Sequence, residues 1–213
     1  MKILSILPLL AFVLVSCQTS SNEGSQACDK KNIVVENIMN RRSIRSYKPE
    51  QVKDSELEII LECAINAPSA LNKQSWEVRI IQDQALINEI NQGFVQYASD
   101  KQMQGNASRS QEAGFSVFHG APTVILVAAR EGGAIDCGLL GQNILLSAES
   151  MNIGTCVIGG VIGYLNTPEA QENIVPKFKL SEGFKPLYTI SLGYKNETPK
   201  AKPRDKTKVQ FIK

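Results

Sequence analysis

Thr123-Val124-Ile125-Leu126-Val127-Ala128-Ala129, directly after Pro122, is an unbroken apolar run without a charged residue. A strand with one wet face alternates polar and apolar residues, so a run without alternation requires protein on both of its faces. The helical stretch at about 137–151 is also apolar nearly all round: Leu140, Ile144, Ala148 and Met151 mark one side, with Leu139, Leu145 and Leu146 nearby. Such a helix is expected to be buried. A doubly covered strand and a buried helix together confine the chain to layers of helices packed on a sheet.

The remaining elements follow from periodicity and punctuation. Residues 54–66 place Leu57, Ile60, Leu61, Ala64 and Ile65 at helical spacing, with Asp54 or Ser55 as cap and Glu58 completing a capping box. Proline disfavours helical geometry at the residue before it, so this helix stops ahead of Pro68, and Ser69, Asn72 and Gln74 fall on a loop. Residues 77–82 alternate as a strand, 86–97 read as a helix, and 99–112 form a polar, weakly patterned excursion. Strands are expected at 155–158 and 187–192, with a helix at 168–176 between them. Strict alternation of strand and helix is absent, which favours an α+β fold with a mixed central sheet flanked by helices over a doubly wound one.

The first residues stand apart from this pattern. Lys2 precedes an apolar run at 3–15, too short for a membrane span of roughly 20 residues. It reads as a secretory signal. Leu14-Val15-Ser16-Cys17 reads as a bacterial lipobox, with cleavage before Cys17 and a lipid on its thiol. The expected organisation is a signal peptide at 1–16, a lipidated Cys17 with a Ser-, Asn- and Gln-rich tether at 17–30, and one domain at 31–213. Such a chain would sit in the cell envelope, anchored to a bacterial membrane.

Charge and residue counts exclude several chemistries. With 23 basic against 21 acidic residues there is no bias towards nucleic acid, so any positive charge that matters is local. The cysteines at 28, 63, 137 and 156 lack the close spacing of a zinc site and are either disulfide-bonded or buried thiols. His119 is the chain's single histidine, so a Ser-His-acid hydrolase would depend on it. Its position ahead of the apolar strand favours a structural or solvent-facing role. Asp136 reads as a helix cap. Phe94, Tyr97, Phe115 and Phe118 could line a planar substrate site, although aromatic residues so placed more often build core, as is expected of Trp76.

Two segments carry local chemistry. Arg41-Arg42-Ser43-Ile44-Arg45 gathers three guanidinium groups and a hydroxyl, a donor set suited to a phosphate dianion. Ala67-Pro68-Ser69-Ala70-Leu71-Asn72-Lys73-Gln74-Ser75-Trp76 supplies small residues and amides that can pair with the carbonyls and nitrogens of a heterocycle. Further on, Asp136-Cys137-Gly138 with Gln142-Asn143, then Gly154-Thr155-Cys156-Val157-Ile158-Gly159-Gly160, then 186–194 with Lys200, Lys202 and Arg204, complete an ordered series over about 35–205. In that order these segments resemble the nitroreductase family of FMN-dependent oxidoreductases.

The resemblance implies a cofactor, FMN, and a set of roles. Arg41, Ser43 and Arg45 would contact its phosphate and ribityl chain, and Arg42 would lie near the ribityl or ring. Arg204, with Lys202 or Lys200, would close the other side of the phosphate. Pro68, Ser69, Ala70 and Asn72, with Gln74 near, would approach the flavin from the partner subunit of a homodimer. Ile158, Gly159 and Gly160 would lie against the ring, with the Gly160 N–H directed at N5. Residues 209–212 would cross to the partner's sheet. No side-chain acid or base is required, because the cofactor carries the reaction. Hydride would pass from NAD(P)H, or another donor outside the cytoplasm, to a nitroaromatic or quinone-like acceptor by a ping-pong mechanism. The alternative is a lipoprotein that binds flavin or substrate without turnover.

Overall fold

A computed structural model describes residues 32–103 and 109–213. The signal peptide, the tether, Cys17 and Cys28 lie outside the described residues. Four strands form one sheet in the order β1-β2-β4-β3: β1 is Trp76–Ile81, β2 Thr123–Ala129, β3 Ile153–Ile158 and β4 Lys185–Tyr194. All three strand pairings are antiparallel. The parallel component of the expected mixed sheet is limited to an isolated bridge between Ser43 and Thr155, beside β3.

β2 is buried at every position because β1 and β4 flank it and helices cover both of its faces. Ile125, Val127 and Ala129 pack with α2 (Asp54–Ile65) and α4 (Ala134–Ser150), through Ile60, Ala64, Leu140 and Ile144. Val124 and Leu126 point the other way, towards Ile90 and Phe94 of α3 (Gln84–Asp100) and Val161 and Leu165 of α5 (Val161–Leu165). Each such fully buried aliphatic side chain contributes about 1.5–3 kcal/mol. The two helices not expected from the sequence are α5 and α1 (Ile33–Asn40). Both are short, and α1 buries no residue, so neither displays the stripe that periodicity detects.

Helix ends follow local chemistry. Asp83 caps α3 by accepting from the N–H groups of Ala85 and Leu86 at 2.9 and 3.3 Å. Thr167 caps α6 (Pro168–Asn173), whose first residue is a proline with no N–H to satisfy. The expected helix at 168–176 is therefore shorter and gives way to a 3-10 turn, Val175–Phe178. In α2 the capping carboxylate is Glu56, which accepts from Lys53 N–H at 3.2 Å, rather than Glu58. The helix starts at Asp54 with Lys53 as its cap, so Glu56 holds the third helical position that such a box uses.

One expectation requires correction. α4 is not enclosed all round: Leu140, Ile144 and Ala148 are fully buried, whereas Ile135 and Leu139 are 78% and 42% exposed. Nothing within the subunit covers that stripe among the described residues. Among the described residues the tail at 209–213 pairs with no strand, and Phe211 and Ile212 are 87% and 99% exposed, as a segment that crosses to a partner would be.

Candidate flavin site

The site begins where α1 ends. Arg41 is the C-cap residue of α1, and Arg42 turns back so that one guanidinium nitrogen donates to the carbonyls of Met39 and Arg41, at 2.6 and 2.8 Å. Those carbonyls lie at the negative end of the helix, where a cation is favoured. The chain then runs beside β3, with Ile44 N–H donating to the Thr155 carbonyl at 2.9 Å. Ile44 is 1% exposed and lies over Gly154, where an added Cβ would come within 3.0 Å of it.

This path brings the two expected phosphate-binding segments together. Arg41, Arg42, Ser43 and Arg45 line one cleft of about 120 Å³ with Pro199, Lys200, Lys202 and Arg204. Among the described residues none of these six cations forms an ion pair with a carboxylate. Unneutralised guanidinium and ammonium groups converging on one small volume suit a phosphate dianion. Arg42 lines this cleft and not the ring cavity, because its guanidinium is held by the end of α1.

Arg45 also lines a second cavity, of about 200 Å³, with Cys156, Ile158, Gly159 and Gly160 on one side and Phe94, Phe115, Val117 and His119 on another. Gly160 has φ −59° and ψ −34°, a conformation open to any residue, so backbone strain does not explain the glycine. An added Cβ at Gly159 or Gly160 would meet no protein atom within 4 Å. It would instead take up room in the cavity these residues line. A planar ring can therefore lie directly on this backbone, and the residues present fit FMN: cations for its phosphate, and an aromatic and aliphatic slot beside paired glycines for its ring.

Sequence reasoning missed part of this cavity. His119 is half-buried and lines it, in a turn with φ +58°, a position that its place ahead of the apolar strand does not announce. Burial, then the charge of Arg45, holds its imidazole pKa below the ordinary value. Cys156 also lines the cavity, and its thiol pKa is raised by burial against the opposing influence of Arg45, Ser43 and Arg41. Phe94 and Phe115 stack with centroids 6.3 Å apart and form the aromatic wall, while Phe118, 1% exposed, is core. A period-two reading would have found Cys156, since it shares a face with Ile158; nothing in the sequence marks the turn that directs His119.

The segment 67–76 lies elsewhere. Pro68, Ser69, Ala70, Asn72 and Gln74 line neither cavity of their own subunit. Their loop is nevertheless built: a 3-10 turn, Ala70–Asn72, with positive φ at Leu71, Asn72 and Gln74, braced by Gln74 N–H donating to Ser69 Oγ at 3.0 Å. Asp136 does not cap its own helix. Its carboxylate accepts from Ala70 N–H at 3.2 Å, tying the loop to the first turn of α4. Trp76 is core, as expected. Among the described residues Cys63, Cys137 and Cys156 are free thiols, and no group of acidic, histidine and cysteine side chains could hold a metal ion.

Comparison with known proteins agrees with this geometry. Residues 38–194 match the Nitroreductase family. The chain is 29% identical over 185 residues to an NADPH-flavin oxidoreductase of Vibrio harveyi, covering 81% of this chain and 70% of that protein. It is 28% identical over 180 residues to an oxygen-insensitive NADPH nitroreductase of Salmonella typhimurium, covering 80% and 69%. The crystal structure of a nitroreductase with bound FMN from Desulfitobacterium hafniense superimposes with a TM-score of 0.78 at 29% identity, covering 84% of this chain and 98% of that one. The chain belongs to the nitroreductase family and is an FMN-dependent NAD(P)H oxidoreductase.

Proposed function

We propose that this protein passes reducing equivalents from NAD(P)H, or from another donor, to nitroaromatic or quinone-like acceptors. The observation that carries the reading is Arg45, which lines both the basic cleft and the glycine-floored cavity, so that the two adjoin at one side chain. FMN, when bound, supplies the hydride chemistry at N5, and donor and acceptor would use its one open face in turn, a ping-pong sequence. The protein's contribution is placement. Arg41, Ser43, Arg45, Lys202 and Arg204 hold the phosphate; the Gly160 N–H is free to donate to the ring; Phe94, Phe115 and Ile158 keep water from the buried side. Arg45 adds positive potential where the ring gains charge on reduction.

The complete site is proposed to need two copies of the chain. The loop at 67–76 is ordered yet lies outside its own subunit's cavities, as a loop offered to a partner would be. Ile33, Val34 and Met39 of α1, 78%, 61% and 67% exposed, together with Ile135 and Phe211, supply apolar surface for such an association. Residues 209–212 would extend the partner's sheet. The first 30 residues support export and anchoring in the cell envelope through Cys17, and removal of palmitate labelling by Cys17→Ser would test that.

The deciding experiment is a visible spectrum of the purified protein loaded with FMN, before and after anaerobic NADPH or NADH. Bleaching that a nitroaromatic reverses is the expected result. Bound flavin that resists both nicotinamides would favour another donor or a non-catalytic flavin-binding lipoprotein, and failure to retain flavin would overturn the reading.

A further inference from the structure

The basic residues of the tail reach the phosphate cleft by a short and traceable route. β4 ends at Tyr194, and the chain continues as a strap along residues 45–48. Lys48 N–H donates to the Tyr194 carbonyl at 2.9 Å, Tyr47 and Lys195 form an antiparallel bridge, and Asn196 N–H donates to the Ser46 carbonyl at 3.0 Å. One more tie follows. The Glu197 carboxylate accepts the backbone N–H of Arg45. Beyond Glu197, every hydrogen bond of the tail among the described residues stays within the tail: Arg204 to the Lys202 carbonyl, Thr207 to Asp205, and Val209 to Lys206. Glu197 is therefore the last point at which the segment bearing Lys200, Lys202 and Arg204 is held to the body.

A carboxylate here is electrostatically the wrong sign for a neighbour of a phosphate dianion, and at short range it repels one. Its position accounts for it: without this bond three cations would hang on a strap that ends at Asn196, and ordering them would fall to the ligand, at a cost in conformational entropy. On the reading of the cleft as the FMN phosphate site, we infer that Glu197 is a positioning residue for phosphate recognition, clamping the Arg45 N–H so that Lys200, Lys202 and Arg204 are already across from Arg41 and Ser43 before the cofactor arrives.

Positioning and plain charge make opposite predictions, which two variants separate. Titration of the apoprotein with FMN and with riboflavin, followed by quenching of flavin fluorescence, gives both affinities. Glu197→Ala should weaken FMN about tenfold, the scale of one charge-assisted contact, and leave riboflavin unchanged because riboflavin has no phosphate to meet the strap. Glu197→Gln keeps an oxygen that can accept from Arg45 and should bind FMN at least as tightly as the native protein. If both variants tighten FMN, Glu197 acts only as a repelling charge and the inference is overturned. Equal loss of FMN and riboflavin in Glu197→Ala, or no change in either, also overturns it. A native protein that prefers FMN no more than riboflavin would instead sink the phosphate reading of the cleft.

Discussion

The Asp136 carboxylate accepts the Ala70 N–H at 3.2 Å, joining the first turn of α4 to a loop whose backbone is left-handed at Leu71, Asn72 and Gln74. Asp136 is 6% exposed but Ala70 is itself exposed, so water can reach the N–H left behind and the loss is that of one hydrogen bond to a charged group. Asp136→Ala is expected to cost about 1–3 kcal/mol in urea unfolding, while Asp136→Asn, which keeps an acceptor oxygen, should lose less.

Arg45→Ala and Arg204→Ala should each weaken FMN retention by roughly 10- to 100-fold, the range for a charge-assisted bond to phosphate. The two differ in a second respect. Arg45 also lines the ring cavity, so its loss should weaken riboflavin too, whereas the Arg204 variant should discriminate only against the phosphate. Equilibrium flavin titration reads both effects.

Two glycines separate packing from binding. A Cβ at Gly93 would come within 2.0 Å of Tyr164 Oη, on a ring that is 4% exposed and has nowhere to go. Gly93→Ala should therefore destabilise the fold by about 1–3 kcal/mol in chemical denaturation. Gly160→Val meets no protein atom near its Cβ and should leave the unfolding midpoint nearly unchanged while preventing flavin retention.

His119 supplies a pH dependence. Burial and Arg45 lower its pKa from the ordinary 6.5, with Arg109 acting in the same direction and Glu197 against it. The unfolded chain thus binds a proton at higher pH than the folded one does. The stability associated with the neutral imidazole is fully present above 6.5 and is lost as pH falls through the lowered folded value. Urea titrations at about pH 8 and about pH 5 should show a decline that His119→Gln reduces.

Thiol reactivity should follow burial. Cys137 is fully buried and its thiol pKa is pushed up to about 11 by burial and by Asp136, and Cys156 is 3% exposed. Cys63 is partly exposed. Maleimide labelling resolved by peptide mass should modify Cys63 well before the other two in the native protein, and all three alike in urea.

What the sequence made legible tracks how each signal is encoded. The run at Thr123–Ala129 matched β2 because double burial is written into consecutive residues. The arginine segment was readable as a phosphate donor set because charge is a property of residue type, whereas the tail cations were joined to it only through the family resemblance. Their convergence rests on the strap hydrogen bonds at Ser46, Lys48 and Glu197, between residues distant in the chain, and nothing local announces it. His119 escaped for a related reason: its place depends on a backbone turn, with φ +58° on a residue that seldom adopts it. Leu139 looked buried because an exposed apolar side chain on an otherwise apolar helix reads the same in sequence as one facing the core.

The bridge between Ser43 and Thr155 has a bearing on solubility. β3 is one of the two outer strands of the sheet, and an outer strand with open N–H and C=O groups invites pairing with a neighbouring molecule. Here the arginine segment lies along it, with Ile44 N–H donating to the Thr155 carbonyl. The same few residues proposed to hold the cofactor's phosphate thus serve as the guard on the sheet's rim, and a change that dislodges them would bare a sticky edge as well as disturb the cleft.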